Sequence, residues 1–103
     1  MERDDASYAR HMRASVLTRE QCAEHRISTE WQMMGDLMAI RFIHPTGRSV
    51  TVRQTETRAY RWLTMQRQGS EATTSIMARP CNIRGYTLAW LLEGRLPWAG
   101  GKP

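Results

Sequence analysis

Histidine and cysteine, which often carry acid–base, nucleophilic or metal chemistry near neutral pH, are few and scattered in this chain. The three histidines are His11, His25 and His44, and the two cysteines are Cys22 and Cys81. Cys22 and His25 have a metal-compatible spacing, but no second pair completes a zinc site. Phosphate loops, paired-carboxylate signatures and nucleophile motifs are absent. The sequence therefore predicts surface histidines, reduced thiols, no catalysis, no metal site and no cofactor.

Arginine is the abundant functional side chain, and its distribution is uneven. The net charge is +5, with fourteen arginines and one lysine against ten acidic residues. Residues 1–35 carry −1 and residues 36–103 carry +6. A basic region of this kind suits a polyanion, because neutralised phosphates release counterions. The alternative is that arginine serves solubility in a protein from a GC-rich genome.

The length and composition predict a single folded domain. A chain of 103 residues can build one core but hardly two. No run of 18 apolar residues occurs, so no membrane-spanning helix is expected. The first residues are charged and lack the apolar core of a signal peptide, which predicts a cytoplasmic location.

Residues 1–35 are interpreted as a helical N-terminal segment. Apolar residues recur at three- to four-residue spacing from Asp5 to about Glu24. Thr18 could cap a second helix start inside this segment, with Gln21 at the capping-box position. A weaker helical patch is predicted at 28–34, ending at Gly35.

Residues 36–54 are predicted to form a β-hairpin. The strands are 37–44 and 48–54, around the turn residues Pro45, Thr46 and Gly47. Alternation places one set of apolar side chains on a common face, namely Met38, Ile40, Phe42, Val50 and Val52. Since an isolated hairpin is barely stable, this face must rest on helices.

Residues 55–97 are interpreted as three helices, at 55–68, 70–79 and 84–93, with Gly94 as the last C-cap and 98–103 as a flexible tail. Residues 74–91 can be laid over a helix-turn-helix pattern. Ala78 would be the small residue at the helix contact, and Asn82 would tolerate the positive φ of the turn. Pro80 requires the first helix of the motif to end near Arg79.

Residues 55–97, which end in Glu93-Gly94-Arg95-Leu96-Pro97, resemble the winged helix-turn-helix DNA-binding proteins of the excisionase and MerR type. The resemblance implies a recognition helix that begins at Arg84 and reads DNA. The chain after Pro97 is too short for a full wing, so the hairpin would take that role. The DNA-binding residues implied are Arg79, Arg84, Tyr86, Thr87, Trp90 and Arg95, with hairpin backbone contacts from Arg41, Arg48 and Arg53.

The sequence thus predicts an α+β domain with an N-terminal helical segment, a central β-hairpin and a C-terminal three-helix winged helix-turn-helix-like unit. The predicted function is a small DNA-binding regulator of transcription, of bacterial, phage or plasmid origin, that binds double-stranded DNA as a homodimer. One alternative is a protein that binds and inhibits or redirects a host complex through the cluster Trp31, Met33, Met34 and Met38. Another is RNA binding through Phe42, Tyr60 and Arg41.

Overall fold

The computed structural model describes residues 13–34, 37–55 and 59–97. Five strands form one antiparallel sheet in the order β1-β2-β3-β4-β5, so that each strand pairs with its neighbour in the chain. The strands are β1 (Ser28–Met34), β2 (Leu37–Ile43), β3 (Ser49–Gln54), β4 (Arg61–Gln66) and β5 (Thr73–Ala78). Helix α1 (Arg19–His25) precedes the sheet and helix α2 (Pro80–Glu93) follows it. The predicted helix start at Asp5 and the predicted tail 98–103 lie outside the described residues.

The predicted fold class is wrong. The hairpin is only the β2–β3 part of a five-stranded sheet, and a three-helix winged unit is replaced by two strands and one helix. The patch 28–34, predicted as helix, is strand β1. A hairpin alone buries too little to be stable, and here further strands supply much of the support that was assigned to helices.

Strand β4 stands where a helix was predicted at 55–68. Arg61, Leu63 and Met65 are buried, and the alternate residues Trp62 and Thr64 are half-exposed. This period of two is the strand signal. It was hidden because the first inward residue is an arginine, which a hydrophobic pattern counts as outward.

Strand β5 replaces the helix predicted at 70–79, and with it the first helix of the helix-turn-helix motif. Thr73, Thr74 and Ile76 are β-branched and lose side-chain freedom in a helix, so they favour a strand. Pro80 is not a break within a motif, because it begins α2, where the missing N–H costs nothing. The predicted end of that helix at Gly94 is confirmed, with φ +69° at the cap.

Both helices pack on one face of the sheet, which is called the helix face. Directly paired residues share a face, and here the rows Ile40–Val52–Leu63 and Phe42–Val50–Met65 are almost wholly buried. The hairpin and its shared apolar face are therefore confirmed. The rest of the core comes from the helices and the segments beside them, namely Val16, Leu17, Ile27, Ala78, Ile83, Trp90 and Leu91.

The ends of both helices are fixed by specific hydrogen bonds. The predicted capping box is confirmed, since Thr18 Oγ1 accepts from Gln21 N at 3.1 Å and Gln21 Oε1 accepts from Thr18 N at 2.9 Å. At the other end of the chain, Trp90 Nε1 donates to Ser49 O at 3.0 Å. Arg48 Nε donates to the carbonyls of Trp90 and Leu91 at 2.8 and 3.2 Å, in the last turn of α2. The Trp90 carbonyl also accepts from Gly94 N, whereas Leu91 O lies beyond that bond, where carbonyls of a helix need partners from outside it. The hairpin and α2 are thereby joined into one unit.

Candidate functional site

The second face of the sheet carries the candidate site, and it is called the open face. The described helices both lie on the opposite side, so within the described chain no helix covers it. The register of β2–β5 assigns to this face Ala39, Arg41, Ile43, Ser49, Thr51, Arg53, Trp62, Thr64, Gln66, Thr73, Ser75 and Met77.

An aromatic and cationic row crosses the open face. Arg53 pairs with Trp62, and Trp62 with Met77, in the sheet register. The Arg53 guanidinium lies 5.9 Å from the Trp62 ring centroid, within the range of a cation–π contact. Both side chains are half-exposed and Met77 is 49% exposed, so the row offers a flat aromatic surface beside a positive charge.

A polar row runs beside the aromatic one. It begins at Arg41 and continues through Thr51, Thr64 and Ser75. Thr64 Oγ1 and Ser75 Oγ lie 2.9 Å apart and share a hydrogen bond, while Arg41 Nη2 donates to Ser49 Oγ at 3.5 Å. Hydroxyl and guanidinium groups of this kind are common ligands of phosphate oxygens.

A polar cavity of about 280 Å³ opens where this face meets the turns. Arg41 and Arg67 supply positive charge to its wall, and Glu71 supplies a negative one. Its remaining lining comes from Gly47, Ser49, Gln66, Gln68, Gly69 and Ser70. The cavity has the composition of a small anion site, with the carboxylate of Glu71 as the opposing feature.

The charge on the open face is modest and positive. The described strand residues of this face include two arginines, Arg41 and Arg53, and one acidic residue, Glu30 of β1, which pairs with Arg41 in the sheet register. Across the described residues, eleven arginines stand against five glutamates. The face therefore lies within a positive field even though few of its own side chains are charged.

The six DNA-binding residues predicted in the C-terminal region do not form one surface. Thr87 and Trp90 are buried in the core, and Tyr86 packs against it. Arg84 donates to Val16 O at 2.6 Å and to Ala14 O at 2.8 Å, so its guanidinium holds the N-terminal segment against α2. The two exposed residues have intramolecular contacts of their own.

Those two residues are Arg79 and Arg95. The Arg79 guanidinium lies 6.0 Å from the Tyr60 ring centroid, and Arg95 Nη2 lies 2.8 Å from Glu93 Oε1 in an exposed ion pair. The three hairpin arginines have two different locations. Arg41 and Arg53 lie on the open face, whereas Arg48 is committed to the end of α2.

The described histidines and cysteines are His25, His44, Cys22 and Cys81. Within the described residues, no three His, Cys, Asp or Glu side chains are close enough to share a metal ion. Cys22 and Cys81 are both free thiols, and burial raises the pKa of the Cys22 thiol. Partial burial, followed by the positive charges of Arg48 and His25, lowers the pKa of His44.

The sequence did not indicate Trp62 as a site residue, because it lies in the segment 55–68 that was predicted as a helix. Its outward position depends on the strand assignment of 61–66, and alternation with Leu63 and Met65 was the signal that could have found it. Phe42, the residue proposed to stack on RNA, is 1% exposed on the helix face. The aromatic side chain available for stacking is Trp62, which lies on the open face.

Comparison of the chain with known protein families, characterised proteins and solved structures finds no match. Among the described helices, none combines the length and the apolar character needed to cross a membrane. The site is therefore interpreted from its own geometry.

Proposed function

We propose that this protein binds single-stranded nucleic acid on the open face of its sheet. The observation that carries the proposal is the half-exposed Trp62 with the Arg53 guanidinium beside its ring, on a face that the described helices leave uncovered. Proteins that bind single strands combine aromatic side chains, on which bases stack, with arginines that follow the phosphates.

The arrangement of the rows fits a strand that lies flat on the sheet. Bases stack on Trp62 while the hydroxyls of Thr51, Thr64 and Ser75 and the guanidinium of Arg41 meet phosphate and sugar oxygens. A phosphate can enter the polar cavity beside Arg41 and Arg67. A duplex keeps its bases stacked on each other, so it gains nothing from Trp62.

The regulatory role expected from the sequence is retained within this proposal, as is a cytoplasmic location. A protein that covers a strand controls any process that needs access to it. The proposed contact surface changes from a recognition helix to the open face of the sheet. Residues 74–91, on which the prediction of duplex recognition rested, form strand β5 and part of α2 rather than a helix-turn-helix.

The test measures binding of a short fluorescein-labelled oligothymidylate by anisotropy, with a duplex of the same length for comparison. Trp62→Thr introduces a β-branched residue that suits a strand and removes the ring. We expect it to weaken binding by about 5- to 150-fold, which corresponds to the roughly 1–3 kcal/mol of one base–aromatic stack. Arg41→Gln and Arg53→Gln should each reduce the slope of log K against log salt by about 0.7, the value for one phosphate on a single strand.

Arg95→Gln is the matched control, because Arg95 is exposed just after the end of α2 and forms an exposed ion pair with Glu93. It should leave the affinity within about twofold of the wild-type value. Absence of binding at low salt contradicts the proposal. If the duplex binds more tightly than the single strand and Trp62→Thr does not reduce the affinity, the protein binds duplex DNA through a different surface.

A second candidate is binding of a host protein at the edge of β1. The outer side of β1 pairs with no other described strand, and Trp31 and Met33 on it are 40% and 64% exposed. Such an edge can accept a strand from a partner protein or from a second copy of this chain. Met33→Glu should abolish co-purification of such a partner, or dimer formation as measured by light scattering, whereas Trp62→Thr should not.

A further inference from the structure

A second concavity lies on the helix face, between α1 with the residues before it and the β1–β2 hairpin. It has a volume of about 410 Å³, in the lower part of the roughly 300–1,000 Å³ range of small-molecule sites. The strand residues that line the cavity, Trp31, Ile40 and Phe42, lie on the helix face. The cavity is thus separated from the open face by the sheet. It is therefore a different site from the one proposed for nucleic acid.

The inner wall of this cavity is apolar. Val16, Leu17, Ile27, Ile40 and Phe42 all line it, and each is less than 8% exposed. An apolar wall of this kind favours a hydrocarbon or aromatic group, because its burial removes both surfaces from water.

The rim of the cavity is cationic. Arg13 and Arg19 line it and are exposed, and among the described residues that line it none is a carboxylate. The Arg13 guanidinium lies 5.2 Å from the ring centroid of Trp31, which is itself 40% exposed at the rim. Arginine pairs with carboxylates through two parallel hydrogen bonds, so this rim selects an anionic head group.

We propose that this cavity binds a small amphipathic carboxylate, with its apolar body against Ile40 and Phe42 and its head group at Arg13 and Arg19. The charge complementarity of the rim selects the acid over the corresponding amine or alcohol. The apolar wall selects acids with a hydrocarbon or aromatic body over short, fully hydrated ones.

The two cysteines provide an internal reporter for the test. Cys22 lines the cavity and is half-buried, whereas Cys81 is exposed at the start of α2. Alkylation of the full-length protein by N-ethylmaleimide is followed at each cysteine by peptide mass spectrometry, with decanoate as the probe below its micellar concentration. A probe at about ten times its Kd leaves roughly one site in ten empty, so it should slow Cys22 labelling about tenfold. Labelling of Cys81 should not change.

Head-group selection is tested with decylamine and decanol, which carry the same tail. Both should protect Cys22 much less than decanoate does. The double variant Arg13→Gln/Arg19→Gln should weaken decanoate binding by about tenfold or more, as expected for loss of a charge-assisted pair, without changing the response to decanol. Arg53→Gln, on the open face, should leave decanoate binding unchanged.

The proposal is overturned if decanoate fails to protect Cys22, or if it slows both cysteines equally without saturation. It is also overturned if decylamine protects as well as decanoate, since the arginine rim would then not select the ligand. Both rim arginines are exposed, and circular dichroism is expected to show the double variant folded.

Discussion

Replacing Arg84 should damage the fold and leave nucleic-acid binding intact. Arg84→Met keeps a long apolar stem and good helix propensity while it removes the guanidinium. The change breaks the bonds of 2.6 Å to Val16 O and 2.8 Å to Ala14 O. These bonds link α2 to positions 68 and 70 residues earlier in the chain. Their loss therefore removes two hydrogen bonds that hold the N-terminal segment against α2.

The magnitude follows from the environment of each bond. A hydrogen bond with a charged donor contributes about 1.5–3 kcal/mol, and less where water can replace the donor. The bond to Val16 O is partly buried and the one to Ala14 O is exposed. We therefore expect the free energy of unfolding to fall by about 2 kcal/mol, which lowers Tm by roughly 10 °C in a domain of this size.

Urea denaturation followed by tryptophan fluorescence measures the loss, with a common m-value showing that the unfolded states match. Arg95→Met, which removes only an exposed ion pair with Glu93, should cost less than about 0.5 kcal/mol. A similarly small loss of unfolding free energy for Arg84→Met would refute the role of Arg84 in holding the N-terminal segment against α2. Weakened oligonucleotide binding at unchanged stability would instead return Arg84 to the recognition role predicted from the sequence.

Three further predictions concern the contribution of single positions to stability. The buried hydroxyl of Thr87 has no hydrogen-bond partner among the described residues, so Thr87→Val should raise the free energy of unfolding by about 1 kcal/mol, whereas Thr87→Ser should lower it. Gly85→Ala lies in α2 with no atom within 4 Å of the new Cβ and should stabilise by about 0.5–1 kcal/mol. Gly47→Ala should destabilise by more than about 1 kcal/mol, since φ is +93° and the new Cβ would clash with Gln68 Cβ. Thermal denaturation of the four variants checks all three predictions, and a stabilised Gly47→Ala would contradict the turn geometry.

Local chemistry explains which elements could be predicted from the sequence. The capping box at Thr18, the turn around Gly47 and the C-cap at Gly94 depend on residues only a few positions apart, and all three are found. Strands β4 and β5 depend on pairing across the sheet. Inward Arg61 disguised the alternation of β4, and the β-branched Thr73, Thr74 and Ile76 were the available signal for β5.

The candidate site was harder to predict than the elements. Arg41 and Arg53 were selected as hairpin contacts, and the structure places both on the open face. Trp62 joins them only because β4 pairs with β3 in a register that puts it beside Arg53. No pattern within one segment specifies that register, which depends on burial of the opposite face.

The order of strands in the sheet has a consequence for how the chain folds. Every strand pairs with the one before it, so the sheet can grow hairpin by hairpin with short loops to close at each step. In the part of the chain that the structure describes, the side-chain hydrogen bonds with the largest sequence separation belong to α2, where Trp90 reaches Ser49 and Arg84 reaches Val16. We therefore expect a rapid zippering of the meander, followed by a docking step in which α2 closes the core. During synthesis that step waits until α2 has left the ribosome, so until then the helix face of the sheet lacks the part of its cover that α2 provides.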